Sequence, residues 1–407
     1  MHDNRHPSFR TRLTALASGL LAFACPASLL AQTPLDQPDA GPATDAGTVL
    51  PPAPAIAPQV ATPASPSPLA ELPVAQVGTR LAVRVQNPNS PDKFNDAGSN
   101  GEAEVVLLGR VHPFLKWQAG FLGTYGAPGA TATSATVLDL VGKIELADAF
   151  NLWIGRMPIP SDRASLSTEW ALGPWTMPGS YGYYGASTTT GPRQGDNDRG
   201  DGATLWGQLR GGRFKYYLGA FGLDQPGTSS PLYAARLSLA LRDPEPGYRT
   251  SSSYYGGKNI LSLAVGGQHQ AQGSRSATTP PQAPRDYNEL NADVLFEIGN
   301  GNAGVLDLEA AFAKMWGEYE PVSYQCFALA SYLLPLDIGF GRFQPLVRVQ
   351  HAGKGTVAGD FTSVDAQLGY IVDGSNARLL TSYQYTKLPG QSQNAVLFGV
   401  QLLSHAK

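Results

Sequence analysis

The feature that most constrains this chain is alternation. From Val77 to near the last residue, apolar and polar side chains trade places at every other position, in about sixteen segments spaced roughly 20 residues apart. Successive side chains of a strand point to opposite faces, so each segment has one oily face and one polar face. In the first, Leu81, Val83 and Val85 share a face, and Arg80, Arg84 and Gln86 share the other. Leu138, Leu140, Ile144 and Leu146 oppose Asp139, Lys143 and Glu145, and Leu237, Leu239 and Leu241 oppose Arg236, Ser238 and Arg242. Later, Val294 and Phe296 oppose Asn291, Asp293 and Glu297; Leu306, Leu308 and Phe312 oppose Asp307 and Glu309; Val364, Leu368 and Tyr370 oppose Asp365 and Gln367.

A soluble sandwich also alternates, so the connections decide. Tight turns at 112–113, 147–149, 211–212, 299–302, 335–337 and 373–375, three of them with Gly or Asn, interleave with longer stretches such as 87–101, 157–200 and 270–285. Transmembrane barrels have short turns at one end and long loops at the other. The expected fold is therefore all-β: a transmembrane antiparallel barrel of about sixteen strands. An even strand count leaves both chain ends on the short-turn side. One connection breaks the parity: Arg242 to Lys258 falls where a short turn belongs and is long.

Composition agrees. Only 15% of residues are charged, against roughly 25% in soluble domains. The mean hydropathy is −0.16, too polar for a bundle of membrane helices. The net charge of −3 gives no basic face for nucleic acid.

The N-terminus places the chain in the export route. Arg5, Arg10 and Arg12 precede an apolar run from Leu13 to Leu30, and Ala31 is the expected cleavage point. Residues 32–76 are rich in Pro and Ala, with too little apolar bulk for a core, and are expected to form a disordered periplasmic linker. Residues 77–407 are the expected barrel. The expected location is the outer membrane of a Gram-negative bacterium.

A barrel of this size encloses an aqueous lumen, and charged side chains at its narrowest point select what passes. The candidate lining residues are Arg84, Arg110, Lys143, Arg156, Arg163, Arg210, Lys215, Arg236, Arg348 and Arg378. With further bases they exceed the acids assigned to the same face, which tilts the field towards anions. The loop 157–200 carries Arg163, Trp170 and Trp175 and is the candidate constriction, expected to fold inward. Enzyme chemistry lacks support. The six histidines fall in the leader or at segment ends, and no serine matches them in spacing. No cofactor or metal site is expected. Asp196 to Asp201 has clustered acids but not the Gly and Glu spacing of a calcium loop.

Three segments carry a family resemblance. Leu152-Trp153-Ile154-Gly155-Arg156-Met157-Pro158-Ile159-Pro160 resembles a stretch of the phosphate-selective porin O and P family. Arg213-Phe214-Lys215-Tyr216-Tyr217-Leu218-Gly219-Ala220-Phe221 resembles that family's aromatic-Leu-Gly-Ala-Phe strand. Tyr254-Tyr255-Gly256-Gly257-Lys258-Asn259 resembles its Tyr-Gly-Lys lead-in to a strand. The resemblance runs loosely over residues 79–404. It implies a homotrimeric outer-membrane porin, seated in lipid, that passes small anions, phosphate among them. The family's arginine ladder and terminal aromatic have no counterpart, since the chain ends Ser404-His405-Ala406-Lys407. The sequence thus leaves two readings: a passive channel for small anions or small hydrophilic solutes, or a structural or adhesive barrel that does not conduct.

Overall fold

The computed structural model describes residues 74–87, 96–126, 134–178, 199–222, 230–276, 282–300, 303–320, 322–355 and 360–405. The expected leader and most of the expected linker lie outside the described residues. The first strand begins at Val74, slightly ahead of the boundary expected at residue 77.

The strands run β1 (Val74–Asn87), β2 (Asp96–His112), β3 (Leu115–Tyr125), β4 (Ser134–Ala147), β5 (Phe150–Pro158) and β6 (Arg199–Leu209). They continue with β7 (Phe214–Gly222), β8 (Leu232–Ala240), β9 (Ile260–Ser274), β10 (Arg285–Asn300), β11 (Gly304–Trp316) and β12 (Val322–Leu333). The last are β13 (Asp337–Ile338), β14 (Gly341–Lys354), β15 (Phe361–Asp373), β16 (Ala377–Leu388) and β17 (Gln391–His405). β13 is a two-residue segment that only widens the hairpin into β14. The other sixteen are long, and each pairs antiparallel with its neighbours in sequence.

Closure comes from β1. It pairs with β2 on one side and with β17 on the other, from Gln76 opposite His405 to Asn87 opposite Asn394. No long strand keeps an open edge, so the sheet is a complete barrel. In hydrocarbon an unpaired backbone N–H or C=O costs several kcal/mol, which is why a membrane sheet must close.

The two faces sort as the alternation demands. Leu81, Val83, Leu140, Leu237 and Phe398 are exposed on the outer wall, whereas Arg80, Asp139, Arg236, Asp293 and Gln401 are buried inside. Two expectations fail: Arg242 lies past the end of β8, exposed and against the outward Phe296 ring, and Leu138 is buried and not outward. The β3–β4 register slips between Gly120 and Phe121, where Asp139 and then Val137 are their partners. Leu138 is the extra residue of a β-bulge, and the bulge carries Val137 into the outward phase its neighbour would have held.

Gly155 lies near the end of β5, three residues before the strand gives way to the longest loop. Its φ is +128°, and a Cβ there would lie 2.0 Å from the Leu140 carbonyl oxygen. Gly155→Ala is expected to cost about 1–3 kcal/mol through backbone strain. Urea-gradient refolding in detergent, read by heat-modifiable gel migration, checks this; an unchanged midpoint would contradict it. The wild-type chain in detergent should give a β-rich circular dichroism spectrum, and a helical one would contradict the fold.

Candidate functional site: the filled lumen

Among the described residues, two connections enter the barrel, and strand parity puts them at opposite ends. The β5–β6 connection is at the long-loop end. The β8–β9 connection, residues 241–259, is at the end that holds both chain termini. This second one is the stretch that broke the parity of the sequence. The structure resolves the anomaly by turning it inward, where Glu245, Tyr248, Ser252 and Ser253 are almost fully buried.

The first segment leaves β5 at Pro158 and forms a single helical turn, α1 (Arg163–Leu166). Asp162 caps that turn, accepting from the Ser165 amide at 2.8 Å. A 3-10 turn follows at Glu169–Ala171. Main-chain oxygens beyond it meet arginines from the far wall. Arg378 donates to the carbonyls of Leu172 and Gly173 at 2.7 and 2.9 Å. Arg348 donates to the Thr176 carbonyl at 2.7 Å and pairs with Asp365. Arg80 donates to the Trp175 carbonyl, ion-pairs with Glu102 and Glu169, and lies over the Trp175 ring at 4.3 Å. Irregular backbone deep in a barrel has unsatisfied oxygens, and planar guanidinium groups supply several donors each.

The second segment crosses the lumen too. Tyr248 stacks on Trp153 at 4.4 Å and meets Trp206 and Tyr217 edge-on. Its hydroxyl donates to the Pro158 carbonyl at 2.8 Å. Arg249 pairs with Asp139 at 2.6 Å, beside Arg199 on the same carboxylate. Further along, Glu297 accepts from the Tyr254 and Gly256 amides and the Ser253 hydroxyl, and Glu309 accepts from the Ser252 hydroxyl.

The two segments also lock to each other. Arg163 and Glu245 form a bidentate pair, with both N–O distances 2.7 Å. The Thr250 amide donates to the Leu166 carbonyl, and the Ser252 amide to the Ala171 carbonyl at 3.1 Å. Burial alone would raise the Glu245 carboxyl. The Arg163 guanidinium, by charge and hydrogen bonds, with Lys215 and the Tyr254 hydroxyl behind it, instead holds it well below the usual carboxylate range.

Of the ten bases singled out from sequence, six point into this interior: Lys143, Arg163, Lys215, Arg236, Arg348 and Arg378. Most are engaged. Arg236 pairs with Asp293 at 2.5 Å, Lys143 donates to Gln118 and lies 4.0 Å from the Trp153 ring centre, and Lys215 donates to the Gly247 carbonyl. Three are corrections. Arg156 shares the phase of outward Ile154, between inward Trp153 and Met157, and faces Asp201 on the outer wall. Arg210 sits at φ +50° in the exposed β6–β7 turn, and Arg110 is exposed beside the β2–β3 turn. Arg84 lies in β1 opposite Leu397, and its side chain is outside the described residues. Sequence reasoning missed Glu245, Tyr248 and Arg249. Their signal was the length of a connection that had no reason to be long.

The interior is not uniformly filled. A small gap of about 20 Å³ lies between Pro174–Thr176 and the β14–β17 wall, lined by Arg348, Asp365, Gln367 and Gln384. Among the described residues, buried acids outnumber buried bases, so the basic excess expected from sequence is absent there.

The Glu245 carboxylate adds stability above its unfolded value, near pH 4.3, and loses it only as pH falls through its depressed folded value. The Thr250 and Ser252 amides should therefore keep their hydrogen-exchange protection down to about pH 4, and Glu245→Gln should lower that protection at pH 7. Equal exchange in the two proteins would contradict the lock.

No protein-family model matches the chain, and no curated protein matches it. Solved structures do. OprB of Pseudomonas putida superimposes with a TM-score of 0.55 at 11% identity, covering 82% of this chain and 94% of that one. OmpF of Salmonella typhi, in a complex with daunomycin, gives 0.53 at 12% identity over 81% and 97%. The trimer form of OmpT, an outer-membrane protein of Vibrio cholerae, gives 0.50 at 13% identity over 82% and 100%. The likeness is one of fold: this chain has a porin-type β-barrel.

Proposed function

We propose that the chain is an outer-membrane porin of a Gram-negative bacterium, a passive diffusion channel for small hydrophilic solutes. The observation that carries this is the β5–β6 segment held across the lumen of a closed sixteen-stranded barrel by Arg80, Arg348 and Arg378. A lumen of that width admits water. A segment fixed inside it narrows that lumen and brings polar groups into it, which suits solutes of modest size.

Small anions, phosphate included, are the class of solute the inward bases Lys143, Lys215 and Arg378 would favour, since among the described residues no acid forms an ion pair with them. The paired arginines contribute fixed structure more than net field. A homotrimer seated in lipid is the assembly proposed, by analogy with the OmpT trimer. A second reading has its own support. The 241–259 segment fills part of the same lumen, which suits a barrel that does not conduct.

Planar-bilayer recordings separate the two. Conductance in discrete steps supports the channel, and silence favours the closed barrel. In a salt gradient, an anion-leaning reversal potential supports the anion preference, and a cation-leaning one contradicts it. Arg156→Glu, on the outer wall, should leave the reversal potential unchanged. Lys215→Glu should move it towards cations.

A further inference from the structure

Resting on that reading, we propose that residues 241–259 act as a built-in restrictor, which limits conductance and also sets charge preference by covering an acidic wall. The wall belongs to β10 and β11, where Glu297, Asp307 and Glu309 are buried on the inward face. Bare, such a wall would attract cations and repel anions.

The segment neutralises it with donors. Amides of Tyr254 and Gly256 and the Ser253 hydroxyl converge on Glu297, and Ser252 serves Glu309. The cover is incomplete at Asp307: among the described residues neither carboxylate oxygen has a well-formed hydrogen bond, and the neighbouring Ser253 hydroxyl donates to Glu297 instead. A buried carboxylate so placed gains from water or a cation as soon as its cover leaves. Asp307 therefore favours the uncovered state.

The opposing force is the lock. Arg163 and Glu245 tie the restrictor to the segment from the other end of the barrel. Arg249–Asp139 and the Tyr248–Trp153 stack tie it to the wall. Breaking a buried pair from one side leaves a charge uncompensated, so Glu245 is the residue on which the covered state most depends. Removing the restrictor takes Glu245 from beside Arg163 and leaves three acids facing water.

The test replaces residues 244–257 with a short Gly-Asn turn and records single channels in a KCl gradient. Expected is at least about a twofold rise in unit conductance, as a lumen of this strand number reopens, with a reversal potential shifted towards cations. Adding Asp307→Asn and Glu297→Gln to the shortened chain should undo that shift and keep the high conductance. Folding is verified by heat-modifiable migration. A folded shortened chain with unchanged conductance and reversal potential overturns the proposal and leaves the porin reading standing. A silent wild type with a conducting shortened chain supports the restrictor and rejects the open-channel reading. Silence of both rejects both. Where the shortened chain does not fold, Glu245→Gln decides. A rise in mean current at neutral pH is expected, and wild-type behaviour overturns the restrictor.

Discussion

The pairing of β1 with β17 is the constraint on which the rest depends. A sheet in lipid has no tolerated edge, because each open N–H or C=O would face hydrocarbon. Closing sixteen long strands satisfies the backbone but fixes the circumference. At that circumference wall side chains no longer meet across the middle, so the interior must hold water or more protein. This chain uses more protein, drawn from both ends. The buried arginines follow from that choice. They serve irregular backbone that has no ladder of its own, as Arg378 serves the Leu172 and Gly173 carbonyls.

Filling a lumen with charged groups has an energetic logic different from filling a soluble core. An ion pair such as Arg236–Asp293, with both side chains at most 1% exposed, gains little over apolar packing of equal volume. Its value is positional. The same Asp293 also accepts the Arg163 amide, so one carboxylate sets both a wall arginine and the first turn of the inward segment. Removing such a group would leave several partners unsatisfied at once, and the inward segments would lose their place before the barrel lost its closure.

The strands were legible because period two is a strong signal once one face meets lipid and the other does not. The segments expected from that period, about sixteen in number, correspond to the sixteen long strands of the barrel. What stayed hidden was local. Alternation assigns faces by counting, so one bulge moved Leu138 out of phase, and Arg156, named as a lining base without a count along its strand, shares the phase of outward Ile154. Turn residues such as Arg210 carry no phase. The candidate interior fared in between. Arg236, Arg348 and Arg378 follow strand parity and could be placed, whereas Glu245 and Tyr248 sit in a connection whose path no periodicity describes.

That last difference has a physical root. Strand side chains are placed by hydrogen bonds between neighbours, and those can be counted along the sequence. The inward segments are placed by scattered side-chain contacts made across the barrel, Arg163 to Glu245 and Tyr248 to Trp153 among them. Each contact requires the barrel to be closed before it can form. The wall therefore specifies the interior, and the interior adds little to specifying the wall. A barrel of this kind can change what fills it, by lengthening a turn as this one does between β8 and β9, without disturbing the register that holds it shut.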